Sequence, residues 1–319
     1  MKKYSIGIDI GGTNTVLGLV DQEGNILETL SISTKEFDIT EIYLDEITRN
    51  ILLLIDHCDN KEAIKGIGIG APNGNYYNGT IEYAPNLNFK GIIPVKKYIE
   101  SKLREKGYEL NVIITNDANA AAIGEMIYGG AKGLKNFFMI TLGTGVGSGI
   151  VVDGKLVYGY DGFAGEIGHT IVQPEGRLCG CGRRGCVETY SSVTGIRKTA
   201  IELMKSTNTP SLLRMLPEEE IGGKTIYEAA IKGDELALKC FDITAKMLAI
   251  GMANAVAVTS PEKIFLFGGL TKSGDLLMTP LKKHFEESLF VVFQNKIELK
   301  LSQLNENNVA ILGAAALVF

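Results

Sequence analysis

The chain is expected to fold as an α/β protein built from two similar halves, and two observations predict this. Short apolar runs of strand length alternate with longer segments of helical spacing, the order that covers sheets with helices. Residues 137–157, slid by 132 positions, also fall on the opening segment: Asp9 meets Thr141, Gly11 meets Gly143 and Asp21 meets Asp153. Ile10, Leu19 and Val20 likewise meet Leu142, Val151 and Val152. Either copy alone reads as an unrelated glycine-rich hairpin; the pair reads as a repeated strand–turn–strand unit, one per domain.

The elements follow in order. "YSIGIDIGGTNTVLGLVDQEGNIL" alternates apolar and small residues about Gly11-Gly12, giving strand, turn, strand, and a second turn between Gln22 and Asn25. Leu44, Ile47, Ile51, Leu54 and Cys58 recur at helical spacing and mark one buried face. "AIKGIGIGAP" is a buried strand ending in a loop. Pro94 opens a helix through "VKKYIESKLREKG", a position where its missing N–H costs nothing. "LNVIITND" is a buried strand and "ANAAAIGEMIYGG" the helix after it. Residues 224–258 are helical in pattern, "EKIFLFGGL" is a strand running into Gly268-Gly269, and "NNVAILGAAALVF" is an apolar helix docked on a core. The domain boundary falls between Thr115 and Ala118, giving domains 1–116 and 117–302, with residues 303–319 folding back on the first.

With 319 residues there is enough chain for two cores, and 45% apolar with 22% charged residues is an ordinary globular balance, not a disordered one. A net charge of -5 leaves no basic footprint for nucleic acid. The start, "MKKYSIGIDIGG", is basic and then apolar, but Asp9 interrupts it before a secretory apolar region can form. No segment reaches the apolar length that spans a bilayer. The chain reads as soluble and cytosolic, so its five cysteines are expected as free thiols or metal ligands, not disulfides.

"DIGGTNT" places the carboxylate of Asp9 at a strand end, followed by Gly11 and Gly12, then Thr13 and Asn14 as small polar groups. "TLGTGVGSG" offers the same kit at Thr144 and Gly145. Glycine lets backbone N–H groups approach an anion closely, and hydroxyls add donors. Neither stretch ends in the Gly-Lys-Ser/Thr of a Walker loop, and a strand follows each where a dinucleotide fingerprint needs a helix. Singly each is a plain turn; as a pair they suggest hairpins clasping a polyphosphate, with Asp9 holding Mg²⁺ directly or through water. Gly268-Gly269 suggests backbone passing near a flat ligand such as adenine, or simply a tight turn.

"IITND" ends a strand just before a helix, so Asn116 and Asp117 serve as N-cap candidates. The functional reading gives Asp117 a second role as general base toward a hydroxyl, kept ionised by the helix N-terminus. "GAPNG" and "APNLNFKG" read as turns that could also offer amides to a polar substrate.

"GFAGEIGHTIVQPEGRLCGCGRRGCVE" crowds His169 with Cys179, Cys181 and Cys186, three of the five cysteines. A Cys-x-Cys-x₄-Cys run after a histidine is a full set of four Zn²⁺ ligands, and three thiolates with one imidazole close the site as a structural one. Glycines permit the tight turns around one ion, and Arg183 and Arg184 offset thiolate charge. The alternative is three reduced surface cysteines. Only one nitrogen of His169 can bind metal, so the other must donate elsewhere. If it donates to a sugar hydroxyl, Glu166 and Glu188 flank it as acceptors, and a hydroxyl needs both kinds of partner.

These stretches, "DIGGTNT", "TNDANAAAIGE", "LGTGVGSGI", "GFAGEIGH" and "LCGCGRRGCVETYSS", together resemble the ROK family, named for its repressors, open reading frames and kinases, over nearly the whole chain. The resemblance implies the actin-like ATPase (ribonuclease H-like) fold, with two similar α/β domains around a central cleft. It implies phosphorylation of a hexose, usually at the 6-hydroxyl, with Mg-ATP. Matched by motif, Asp117 is the catalytic base, and Asn116, Glu166, His169, Glu188, Asn86 and the backbone at Gly70 and Pro72 are sugar ligands. Asp9, Gly11, Gly12, Thr13, Asn14, Thr144 and Gly145 belong to the phosphate loops, and Gly268 and Gly269 to the adenosine loop. His169, Cys179, Cys181 and Cys186 hold structural Zn²⁺. A homodimer, formed through helices of the 117–302 domain, is also implied.

"CVETYSS" looks more like the glucokinase branch than the fructokinase one, so glucose comes first, ahead of N-acetylmannosamine, N-acetylglucosamine and fructose. Phe89 stands where the family usually has another aromatic, often Trp. A sugar-responsive repressor is expected to carry a helix-turn-helix domain ahead of the first hairpin, and few residues precede Tyr4 here. A zinc hydrolase needs an open coordination position that Cys₃His lacks. A chaperone-like ATPase has no use for Glu166 and Glu188 beside the metal.

Overall fold

The computed structural model describes residues 3–304 and 308–319, so Lys2 of the basic start and part of the 303–319 segment lie outside the described residues. In chain order the first elements are β1 (Tyr4–Ile10), β2 (Asn14–Asp21), β3 (Ile26–Ser33), α1 (Thr40–His57) and β4 (Ile64–Gly70). There follow β5 (Gly74–Asn75), β6 (Thr80–Glu82), β7 (Ile92–Ile93), α2 (Val95–Glu105), β8 (Val112–Thr115) and α3 (Asp117–Ile127). Next come β9 (Phe137–Leu142), β10 (Val146–Val152), β11 (Lys155–Leu156), α4 (Glu188–Ser191), α5 (Val193–Ser206), α6 (Gly223–Ala230) and α7 (Glu235–Thr259). The last are β12 (Lys263–Phe267), α8 (Asp275–Ser288), β13 (Glu298–Leu301) and α9 (Val309–Ala316).

Two five-stranded sheets share one plan. The first runs β3-β2-β1-β4-β8 and the second β11-β10-β9-β12-β13. In each, the first strand of a hairpin lies centrally, its hairpin partner and a third strand extend one way, and two later strands extend the other. The later strands run parallel to the central one: β4 to β1, β8 to β4, β12 to β9, and β13 to β12. The duplicated hairpin of the sequence is therefore a duplicated sheet.

The chain divides into two compact units. One comprises Met1–Leu134, Gly149–Gly165 and Ser302–Phe319, the other Lys135–Ser148 and Glu166–Leu301. This differs from a boundary at 116/117: α3 stays with the first unit because it packs on α9. The two helices cross where Gly124 meets Gly313, with room for no side chain between them. The chain also re-enters the first unit from within β10, where Gly149 lies against Ala118 and Ala122 of α3.

Strand alternation explains both faces of the first sheet. Ile6, Ile8 and Ile10 of β1 join Leu44, Ile47, Ile51 and Leu54 of α1 and Val95, Ile99 and Leu103 of α2 in one core. The opposite face is flat. Gly18, Gly7 and Gly68 sit side by side across β2, β1 and β4, and α9 lies directly on that row. A Cβ at Gly68 would overlap the carbonyl oxygen of Ala314. Gly68→Ala should therefore destabilise the protein by about 3 kcal/mol, read from a urea titration, because helix and sheet must part to admit the methyl.

In the second unit α7 packs against α4, α5, α6 and α8. The helical pattern of residues 224–258 is two helices, not one, because Gly233 turns at φ 81° and the Asp234 side chain caps α7 by accepting from Ala237 N at 2.9 Å. Contrary to the sequence expectation, α7 is long and apolar enough, at 25 residues, to cross a membrane by length and composition. Its Leu236, Cys240, Phe241, Leu248 and Met252 are instead buried among its neighbours.

Candidate active site and metal cluster

In the first unit three strands deliver their carboxyl ends together. Asp9 of β1 is in register with Gly70 of β4, and Gly70 with Thr115 of β8. Asn116 and Asp117 follow at once, so Asp117 stands just past the strand ends, the usual ligand position in such sheets, with its charge felt by Asp9. Asn116 does the capping, its side chain accepting from Asn119 N at 2.9 Å. Asp117 is the first residue of α3 and accepts from Ala118 N at 2.8 Å. The N-cap is thus Asn116, and Asp117 meets the amide next to it in the first turn.

The turn after β1 closes with Gly11 N–H donating to Asn14 O at 3.0 Å. A Cβ at Gly12 would overlap the carbonyl oxygen of Asn86, so glycine there lets the loop bearing Asn86 close on the turn. Thr13, Asn14 and Asn86 are exposed. Beyond Gly70, Ala71 N donates to Thr115 O and Gly74 N to Ala71 O, both at 3.0 Å, which makes the backbone around Pro72 a tight turn into β5.

Burial, and then the charge of Asp117, push the pKa of Asp9 up to about 6. Asp117 reaches solvent, yet the protein around it is dense enough that burial raises its pKa, with the Ala118 N–H opposing. The helix-terminal amide acts in the direction expected from the sequence, and burial acts against it more strongly. An acid whose folded pKa exceeds its unfolded value contributes stability below about pH 4 and loses it as the pH rises through about 6. Asp9→Asn should accordingly stabilise the ligand-free protein by about 2 kcal/mol at pH 7.5, with the gain shrinking toward pH 4, in urea titrations across that range.

Beneath the site lies a buried network that residue types alone did not reveal. Thr15 Oγ1 meets Thr34 Oγ1 at 2.8 Å and also the Tyr43 hydroxyl, whose pKa burial raises to about 12. Tyr43 stacks on Phe89 with ring centroids 4.9 Å apart, so Phe89 is a core residue.

In the second unit the duplicated hairpin again ends at a glycine turn. Thr141 of β9 is in register with Phe267 of β12, which brings the turn at Gly143, Thr144 and Gly145 beside Gly268 and Gly269. Gly268 adopts φ 109° and passes so near Leu142 that a Cβ would lie 2.7 Å from its carbonyl oxygen. Thr144 and Gly269 face solvent. The two predicted nucleotide segments of this unit are therefore neighbours.

His169 ends a short 3₁₀ turn, Ile167–His169, fastened to β10 by Ile167 N donating to Ser148 Oγ at 3.1 Å. Its cysteine partners sit on a tight loop in which Gly182 and Gly185 take φ 85° and 80°. One ligand atom from each of His169, Cys179, Cys181 and Cys186 lies within 4.8 Å of all the others. His169 Nδ1 is 3.6 Å from Cys179 Sγ, and Cys181 Sγ is 3.7 Å from Cys186 Sγ. Tetrahedral Zn²⁺, with bonds of ~2.3 Å to sulfur and ~2.0 Å to nitrogen, sets S···S edges of about 3.8 Å and S···N edges of about 3.6 Å. The donor set fits the ion.

Cys181 is drawn down to about 6: burial opposes its thiolate, but donors from Arg183, backbone and guanidinium, outweigh it together with Cys179 and Cys186. Burial pushes Cys179 up to about 12. Arg183 also donates to His169 O at 2.8 Å, whereas Arg184 donates to Gly176 O at 3.2 Å. With Nδ1 toward the sulfurs, Nε2 lies on the other edge of the ring. Glu166 is exposed, and its carbonyl accepts from His169 N at 3.1 Å. Glu188, at the start of α4, is half-buried with Oε1 3.8 Å from His169 Nδ1.

A family model described as "ROK family" matches residues 5–319. A glucokinase of Halalkalibacterium halodurans is 36% identical over 99% of this chain and 95% of its own length. A xylose repressor of Bacillus spizizenii is 30% identical over 99% of this chain but 77% of its own. The crystal structure of a ROK family glucokinase from Streptomyces griseus, in complex with glucose and AMPPNP, superposes with a TM-score of 0.78 at 34% identity, covering 98% of both chains. The matches in sequence and in fold extend over nearly the whole chain, and the chain belongs to the ROK family.

Proposed function

We propose that this protein is an ATP-dependent glucokinase, transferring the γ-phosphoryl group of ATP to the 6-hydroxyl of glucose. The observation that carries the reading is Asp117: a solvent-reaching carboxylate at the head of α3, spared from capping by Asn116 and set beside Asp9. Phosphoryl transfer asks its base to orient a hydroxyl and accept its proton late, so positioning matters more than strength. Asp117 takes the 6-hydroxyl proton as the bond to phosphorus forms. Asn116, Asn86 and the backbone at Gly70 and Pro72 hold sugar hydroxyls, as do Glu166, Glu188 and the Nε2–H of His169. Thr13, Asn14, Thr144 and the N–H groups of Gly12 and Gly145 hold phosphates, on a turn that Gly11 closes, while Gly268 and Gly269 lie along the adenosine.

Asp9 is the carboxylate for Mg²⁺, which would neutralise phosphate charge when bound. Zn²⁺ held by His169, Cys179, Cys181 and Cys186 would supply rigidity alone, fixing the His169 tautomer. Close similarity to glucokinases supports glucose over other hexoses. A coupled ADP-release assay over glucose, mannose, fructose, N-acetylglucosamine and N-acetylmannosamine tests this. Glucose should lead in kcat/KM by about tenfold or more, and a lead by an N-acetylhexosamine would reassign the substrate.

A further inference from the structure

We propose that Thr194 is a positioning residue for the nucleotide turn at residues 143–146, and that the metal cluster holds the same turn through Glu188. The inference rests on the reading of that turn as a phosphate site. Three contacts from the α4–α5 junction grip the turn. Glu188 Oε2 accepts from Val146 N at 3.3 Å, Val193 N donates to Gly143 O at 2.9 Å, and Thr194 Oγ1 donates to Thr144 O at 2.7 Å. Glu188 Oε2 also fills the space where a Cβ on Gly145 would stand, 2.5 Å away. The grip reaches the two residues proposed to bind phosphate, Thr144 and Gly145, on both sides.

The junction is itself fixed at both ends. Ser192 Oγ meets Thr194 Oγ1 at 2.9 Å, donates to Glu188 O at 2.7 Å, and caps α5 by accepting from Gly195 N at 3.0 Å. On the metal side, Thr189 Oγ1 donates to Cys186 O at 2.7 Å, and Glu188 Oε1 lies 3.3 Å from Cys179 Sγ. Residues 186–195 are thus an unbroken strap from a metal ligand to the phosphate turn. A glycine-rich turn has little stiffness of its own. Donors held in place before the nucleotide arrives spare the ordering cost of binding, so a loosened strap should appear as weaker nucleotide affinity.

The test titrates Mg-AMPPNP into wild type, Thr194→Val and Thr194→Ser by calorimetry, with steady-state kinetics beside it. Losing one hydrogen bond to the turn should weaken AMPPNP binding by about fivefold in Thr194→Val and raise the KM for ATP equally. The KM for glucose and kcat at saturating ATP should stay within about twofold, and Thr194→Ser should restore binding. Chelator-treated wild type should also bind AMPPNP more weakly. Wild-type affinity in Thr194→Val, equal loss in both variants, or unchanged affinity after chelation would overturn the strap. No AMPPNP binding by wild type would instead sink the phosphate-site reading beneath it.

Discussion

Asp117→Ala should lower kcat by about three orders of magnitude while glucose still binds within a few-fold of wild type. Loss of a general base acts on the transition state, where the 6-hydroxyl proton leaves, and scarcely on the ground state. The variant should fold, because Asn116 keeps the cap and α3 keeps its seat on α9. Calorimetry with glucose separates binding from turnover. Near-normal kcat would remove Asp117 as the base, and lost glucose binding would make it a ligand first. Because burial raises its pKa, the acid limb of the wild-type kcat profile should lie above the ordinary carboxylate range and vanish in the variant.

Removing the metal should cost stability and sugar affinity together. Chelation, or Cys181→Ala, should destabilise the protein by on the order of 4 kcal/mol, in the range that loss of a metal site reaches. It should also raise the KM for glucose by about tenfold. The link is His169: with Nδ1 3.6 Å from Cys179 Sγ, the ring is aimed by the cluster, and without the ion it can rotate. Zinc should restore both quantities, and metal analysis should find one ion per chain. An unchanged KM for glucose in a fully stripped protein would contradict the staple role.

What was legible in the residues followed the physics that each pattern records. Strand alternation and helical spacing reflect burial, so β1, β2, α1, β4, β8 and the duplicated hairpin could all be read in place. The clustering of His169 with three cysteines was legible because those donor types in one short span are the ones a tetrahedral ion selects. The small β5-β6-β7 sheet was not, since strands of two or three residues leave no periodicity. Nor was α8 distinguished, with Pro280 inside it.

At the site, Glu188 was expected as a carboxylate for hydroxyls, and its role as the acceptor for Val146 N was not legible. Thr194 was missed altogether. Both contacts end on backbone atoms some fifty residues away in sequence or nearly so, and a backbone amide or carbonyl carries no residue signature. The burial that raises the pKa of Asp117 was unreadable for a related reason: the helix start is visible in sequence, whereas the surrounding protein density is not.

The most direct measurement follows ATP and its products by phosphorus NMR, with glucose present and absent. The account predicts a phosphate monoester on the 6-oxygen of glucose, appearing as fast as ATP becomes ADP, and negligible ADP without sugar. ADP and inorganic phosphate released at the same rate in both samples, with no sugar phosphate, would contradict it.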